Sequence, residues 1–572
     1  MKIIFLFLFV FISSCKNTII DSKNDISNTI TNIKKKSISQ KLKENKQLSI
    51  KDQIVLYKKL KVEKPNEFNF ENEDELTMYG YSFLWNNQKK EALEIFKLIV
   101  EQFPNSSNPY DSLGEAYMAL GNMELSLINY QKSLELNPDN FNAEDQIEKI
   151  KNPNKKTISP AEKFTKIYAV KDYISDLDET SKKILEVHPN ALKFISKEDF
   201  LALIERKKKL ITNKTTFGNF IWHCSEIMAS INCSHSDLGG FRQESLMLQK
   251  PFVFPVQTRF VNNQLFIVDV MSNANKVNLK DKIIEINNIP VTKIIEDIYK
   301  HIQSQGFVKT SKRHFFNIWS TEIIPYALGF PTSYQIKIKG KENLITLNKA
   351  TGYKAPFEEP AIKKHKSDLN LEFKNDNKTA ILTISSFNYY PWNNLTFFKD
   401  FIDKSFNEIH QKKIKNLIID VRFNSGGSPE SSIYLLSYLI NNPFTYFTNE
   451  LNALEKYSKN IYKGKLYFLI DGNGKSTTGH FMAIAKEHNL GPIFGEELGS
   501  NHLCTAGQTI LRLKNTKLLY YVANTSSRLY NYNFADEKGV LPNFYVNQNI
   551  DDYFNKTDTV KEYLLNFINN EK

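Results

Sequence analysis

Cysteine is scarce in this chain: 572 residues carry four. None belongs to a Cys-x-x-Cys pair and no His-rich cluster accompanies them, which argues against a thiolate metal site. Beyond Cys15 three remain, Cys224, Cys233 and Cys504, an odd number that leaves at least one free thiol. A Cys224–Cys233 pair stays open at this level. Long apolar runs are missing too. The longest, residues 3–12, is too short to span a bilayer, and no later run is long enough. No compact Arg/Lys stripe with interleaved aromatics occurs. The net charge of +12 comes from lysines spread along the whole chain among Asn and Ile, a solvated surface rather than a nucleic-acid face, with weak attraction for anionic surfaces at most. One further absence disarms a decoy. Residues 472–477, GNGKST, look like the end of a phosphate-binding loop, but that motif needs a glycine five residues before the Gly of GKS, where this chain has Leu469.

What is present suffices for real cores. Hydrophobic residues make up 41% and aromatics 13%, and the length suggests about three to four domains. Residues 1–15, MKIIFLFLFVFISSC, have a minimal charged start, an apolar run of signal-peptide length and small residues before Cys15. They resemble a bacterial lipoprotein signal, with Ile12 and Ser14 departing from its commonest form. The resemblance implies export and a lipid on Cys15, the chain's one contact with the membrane; Lys16 after the Cys resembles lipoproteins sent on to the outer membrane. Residues 16–65 are rich in Lys, Asn, Ser and Ile with little pattern and read as a flexible tether.

Residues 66–151 hold a repeat with an offset of 34. Leu76, Tyr79, Gly80, Phe83, Ala92, Phe96 and Pro104 are answered in order by Tyr110, Leu113, Gly114, Tyr117, Ser126, Tyr130 and Pro138. This matches the tetratricopeptide pattern of helix–turn–helix units. Two units do not bury a core alone, and a capping helix is expected from Phe141. Such an array serves as a docking surface for a protein partner or as a spacer. Residues 152–160 are a linker. Residues 161–245 read as helical, interrupted by His188-Pro189-Asn190. Residues 250–310 change period: a hairpin turns at Asn262-Asn263, and DKIIEINNIPV looks like the second half of a PDZ-like domain. Over residues 330–570 strands alternate with helices, an α/β core with a mixed sheet. The fold class read from the whole is multidomain: all-α repeats, then an α+β/α/β core.

Within that core an apolar run ends in a Gly-rich turn that carries Ser476, and a helical pattern follows at once. This placement lifts a hydroxyl clear and puts helix N–H groups where an oxyanion forms. Three further stretches stand out: residues 231–236 (INCSHS), residues 417–427 (LIIDVRFNSGG), and residues 534–544 (FADEKGVLPNF). With Gly495-Glu496 nineteen residues beyond Ser476, their order and spacing resemble the tail-specific, or C-terminal-processing, serine peptidase family, whose broader group includes the tricorn core. The resemblance spans about residues 188–544. It implies a ClpP/crotonase-like spiral, hydrolysis of peptide bonds in a peptide or protein substrate, and no cofactor or metal.

The family's bacterial branch uses a Ser–Lys dyad, but the lysine's place is Asn501. The tricorn-like branch implies another relay: Ser476 as nucleophile, His235 as base, Ser234 linking it to Glu537, and an oxyanion hole from the N–H groups of Gly426 or Gly427 and of Thr477. Asp536 is the alternative carboxylate and His480, four residues along the helix, the rival base. Cys233 beside Ser234-His235 is a conceivable nucleophile. Lys475 reads as a solvated neighbour, and Asp420 and Arg422 as structural. A second class stays in play: a peptidase-like scaffold without activity, working as a repeat-bearing binding lipoprotein.

Overall fold

The computed structural model describes residues 35–155, 158–238, 248, 250–351, 365, 368–374, 378–447, 460–530, 532 and 534–571. The signal-like segment and Cys15 lie outside them. The chain divides into two compact units, residues 1–157 with 389–398, and residues 158–388 with 399–572.

The first unit is helical. Its hairpins Glu73–Trp85 with Lys89–Gln102, and Ser107–Ala119 with Met123–Leu136, repeat at the 34-residue offset, and Phe141–Lys151 follows as a further helix. The glycines of the pattern exist for close approach. A Cβ on Gly80 would come within 2.5 Å of the Phe96 ring, and one on Gly114 within 3.1 Å of Tyr130. The tether expected over residues 16–65 is corrected where the chain is described: Ile38–Glu44 and Ile50–Glu63 are helices. Ser37 and Ser49 cap them by accepting from the N–H of Gln40 and Asp52. Ile38, Leu42, Tyr57 and Leu60 are buried with Phe68, Phe70 and Leu76. A few well-spaced apolar residues thus dock segments whose overall composition reads as disordered.

The second unit opens with helices Pro160–Thr165, Val170–Val187, Lys197–Leu210 and Phe217–Ser230, with His188 closing the second of them. Their apolar faces share a core with Leu511, Tyr520 and Val522 of a later hairpin. Next comes a small sheet in the order Gln257–Val261, Gln264–Asp269, Lys282–Ile286, Gln335–Ile338, Ile345–Thr346, packed on helices Val291–Lys300 and Lys309–Ala327. Its first hairpin turns at Asn262-Asn263, both with positive φ, as an Asn-rich two-residue turn demands. The boundary expected at residue 310 is too early, because Gln335–Ile338, which pairs with Lys282–Ile286, and Ile345–Thr346, which pairs with Gln335–Ile338, lie beyond residue 334.

The main sheet has six strands in the order Leu369–Phe373, Thr379–Ile384, Asn416–Asp420, Lys465–Ile470, Ile493–Gly495, Phe544–Tyr545. The first pair is antiparallel and the rest are parallel, a mixed sheet as expected. Its strands begin at Leu369, later than the predicted core boundary at 330. Parallel neighbours require crossovers: helices Leu395–Gln411, Pro429–Leu436 and Thr477–Glu487 lie in three of the four. Helix Thr559–Asn570 covers one face through Val560, Leu564 and Ile568 against Ile418, Tyr467 and Phe494. The ends of the central strands carry the residues that matter next.

Candidate active site

Ser476 links the strand Lys465–Ile470 to the helix Thr477–Glu487, with φ 54° and ψ −126°. A non-glycine residue there is strained by about 1–3 kcal/mol and persists only when its surroundings hold it. The neighbouring turn does so. Asn424, in the turn that follows Asn416–Asp420, accepts at its carbonyl from Lys475 N at 3.2 Å and from Thr478 Oγ1 at 2.9 Å. Its side chain donates to Ile384 O at 2.9 Å and accepts from Gly426 N at 2.9 Å. Below it Arg422 is buried between Asp420 and Asp558, with bonds of 2.7–2.9 Å. Asp420 and Arg422 are therefore structural, as their positions suggested.

Gly426 lies directly over the serine. A Cβ on Gly426, which has φ 98°, would be 2.7 Å from both Ser476 Cβ and Lys475 O. Thr477 Oγ1 bonds the carbonyl of Gly427 at 2.5 Å. Of the three candidate oxyanion donors, the N–H of Gly426 is already engaged by Asn424. Among the described residues the N–H groups of Gly427 and Thr477 have no acceptor.

His235 reaches this neighbourhood by a set of staples. Ser236 Oγ accepts from Ala523 N at 2.9 Å, Gln508 Nε2 donates to His235 O at 2.5 Å, and Cys233 Sγ approaches Thr505 O at 3.7 Å. The strand Asp237–Leu238 pairs with Tyr520-Tyr521. The same region presents Cys504, whose Sγ donates to Ser476 Oγ at 3.6 Å. Ser234 Oγ lies 3.3 Å from His235 Nδ1. Burial lowers the His235 pKa to about 4, assisted by the positive charges of Lys475 and His188. Among the described residues no hydrogen bond joins Ser476 to His235, nor Ser234 to Glu537.

Glu537 is half-buried, and its backbone carbonyl accepts from Phe307 N at 2.8 Å. Gly306 beside it packs on the Glu537 backbone and donates to Asn232 O at 3.0 Å, so Glu537 and Asn232, two residues before Ser234, flank one strap. Asp536 is committed elsewhere: Arg528 and Lys193 each reach Oδ2 at 2.6 Å, and His502 Nε2 lies 3.1 Å from Oδ1. Asp536 and Glu537 sit in the wall of a cleft of about 690 Å³ together with Lys193, Phe307 and Phe534.

The remaining candidates are placed as follows. Asn501 is fully buried and donates to the carbonyls of Ala535, Asp536 and Lys538 at 3.2, 3.0 and 2.6 Å, while its Oδ1 accepts from Leu503 N at 2.8 Å. The family's lysine position thus holds a fully used amide. His480 is buried with both ring nitrogens unpartnered, and its pKa is lowered to about 3, chiefly by burial. Cys224, Cys233 and Cys504 are buried free thiols, so Cys224 and Cys233 are unpaired. Burial pushes the Cys504 pKa up to about 12 and also raises that of Cys233, the opposite of what a thiolate nucleophile needs. Glu496 binds Arg313 and accepts from His314 Nε2 at 3.2 Å. Burial raises its pKa, but these two partners outweigh burial and hold it at about 2. Neither the Cys504 contact nor the Arg313–His314 pair carries any signal in the sequence. Among the described residues no group of three or more His, Cys, Asp or Glu is placed to hold a metal ion, and no helix is long and apolar enough to cross a membrane.

Residues 378–546 match the sequence model of Peptidase family S41. No curated protein matches the chain. Among solved structures it is similar to mature CPAF, at 14% identity over 70% of this chain and 98% of that one, with a TM-score of 0.47. A putative peptidase from Parabacteroides merdae gives 13% identity over 70% and 96%, TM-score 0.37. The tricorn protease gives 15% over 70% and 36%, TM-score 0.33.

Proposed function

We propose that this chain, whose residues 378–546 match peptidase family S41, hydrolyses peptide bonds with Ser476 as nucleophile and His235 as general base. The observation that carries the reading is the Ser476 turn, a strained serine packed against Gly426, with the neighbouring N–H groups of Gly427 and Thr477 unengaged among the described residues. In the tautomer that donates Nδ1–H to Ser234 Oγ, His235 Nε2 keeps a lone pair for the serine proton. Ser476 Oγ attacks the carbonyl carbon as His235 takes that proton. The oxyanion faces the two N–H groups, and His235 then protonates the leaving amine. Water releases the acyl group by the same route in reverse. Glu537, across the Gly306 strap from Ser234, is the carboxylate we assign to steady the imidazolium. Asn501 supports a histidine base over a lysine one, because its amide is spent on the 535–538 loop.

The finer assignments belong to the same proposal. The small sheet holds an extended substrate by strand addition, and the helical hairpins are tetratricopeptide-like units that position a substrate or partner. Residues 1–15 direct export, with lipid on Cys15 fixing the protein to the bacterial envelope. The test is Ser476→Ala in purified full-length protein: peptide hydrolysis is expected to fall by about 10³-fold or more, and full activity in that variant would end the proposal.

A second reading has its own support. Ser476 Oγ is bonded by Cys504 rather than by His235, as in a scaffold that binds without turnover. Ser476 reactivity separates the two.

A further inference from the structure

One face of the first unit carries carboxylates that no cation answers among the described residues. On helix Glu73–Trp85, Asp74, Thr77 and Tyr81 share a face at spacings of three and four. On Ser107–Ala119 the same places, 34 residues on, are Asn108, Asp111 and Glu115, and Asn142 continues the row on Phe141–Lys151. Hydrogen bonds between helices show that these faces adjoin. Asn108 Nδ2 donates to Glu73 Oε1 at 3.1 Å, the Tyr81 hydroxyl to Glu115 Oε2 at 2.9 Å, and Asn142 Nδ2 to Asp111 Oδ2 at 2.8 Å.

Every bond to Asp111 and Glu115 among the described residues comes from an amide or a phenol, and no ion pair includes them or Asp74. Elsewhere in the unit acids are paired: Lys58 with Glu101, Lys97 with Glu94, Lys132 with Glu135. An independent sign is Thr77. It is only 6% exposed, its hydroxyl has no partner, and it holds the place that Asp111 holds in the next hairpin. Burial raises the pKa of Asp74 and of Asp111 to about 6, with Glu73 and Glu115 adding repulsion; burial raises Glu115 as well. At the rim Tyr81 stacks on Trp85 with ring centroids 5.5 Å apart, and Trp85 is 52% exposed.

We propose that this face docks a cationic peptide: an extended segment whose Lys or Arg side chains meet Glu115 and Asp74, with Asp111 behind them and the Tyr81–Trp85 plane as a cation–π wall. Charge complementarity selects this occupant over a neutral or acidic one, since a positive side chain supplies what the face lacks. The proposal is independent of the chemistry at Ser476.

The test uses full-length protein carrying Ser476→Ala, so that binding is read without cleavage. The probes are a fluorescent twelve-residue peptide with four lysines and its counterpart with glutamine at those positions, followed by anisotropy. The lysine peptide is expected to bind at least tenfold more tightly, and Asp74→Asn with Glu115→Gln to abolish that difference while far-ultraviolet dichroism is unchanged. Equal binding of the two peptides, or an undiminished preference in the folded double variant, overturns the proposal. Should the double variant lose its helicity, Trp85→Ala at the exposed rim takes its place: a loss of threefold or more is expected, and no loss counts against the site.

Discussion

At the scale of single residues, the site depends on how the chain spends its polar groups. His235 loses its charge readily because burial and the nearby Lys475 and His188 all oppose protonation. A general base works only when neutral, so a pKa near 4 rather than near 6.5 moves the acid limb of the rate profile down. We predict a kcat/KM that stays level through neutral pH and falls only as pH drops through about 4. Lys475→Gln removes one opposing charge, raises that pKa and moves the limb upward; pH–rate profiles of the two proteins check both statements. The turn glycines and Ser476 were legible in the sequence because a strand, a Gly-rich turn and a helix start stand in one short stretch. The partners of Ser476 and Glu496 were not. Cys504, Arg313 and His314 meet them through contacts that cross separate elements, and nothing in a local pattern encodes such a meeting.

At the scale of elements, Asn501 shows how one side chain fixes a loop. Three carbonyls of residues 535–538 converge on its amide, and its oxygen returns a bond to Leu503 N. Removing a buried partner leaves each of those groups unsatisfied, at about 1–3 kcal/mol for such a loss. Asn501→Ala is predicted to destabilise the protein by about 2–4 kcal/mol on that scale and to lower activity through displacement of Glu537, read by urea denaturation and by kcat. An unchanged midpoint would show that the loop is held otherwise. The repeat hairpins were legible for a related reason: Gly80 against Phe96 and Gly114 against Tyr130 each need a residue without a side chain. The helices Ile38–Glu44 and Ile50–Glu63 were hidden because their lysines dominate the composition. Ile38, Leu42, Tyr57 and Leu60 are buried, with Ile50, Ile54 and Leu56 packed beside them, and those few positions decide that the segments fold.

At the scale of the molecule, the two compact units divide the proposed labour: the helical one carries the acidic docking face, and the other carries the chemistry. Within the latter the central problem is long range. His235 precedes the main sheet in the chain, yet the bonds from Ala523 and Gln508 to residues 235–236 and the pairing of Asp237-Leu238 with Tyr520-Tyr521 tie it to the region that touches Ser476. The measurement that bears most directly on this arrangement is labelling of the full-length protein with a fluorophosphonate, with the adduct located by peptide mass mapping. The account predicts one adduct, on Ser476, lost in His235→Gln while the fold is retained. A folded wild-type protein that takes no adduct on Ser476, or a His235→Gln variant that labels at the wild-type rate, would contradict it.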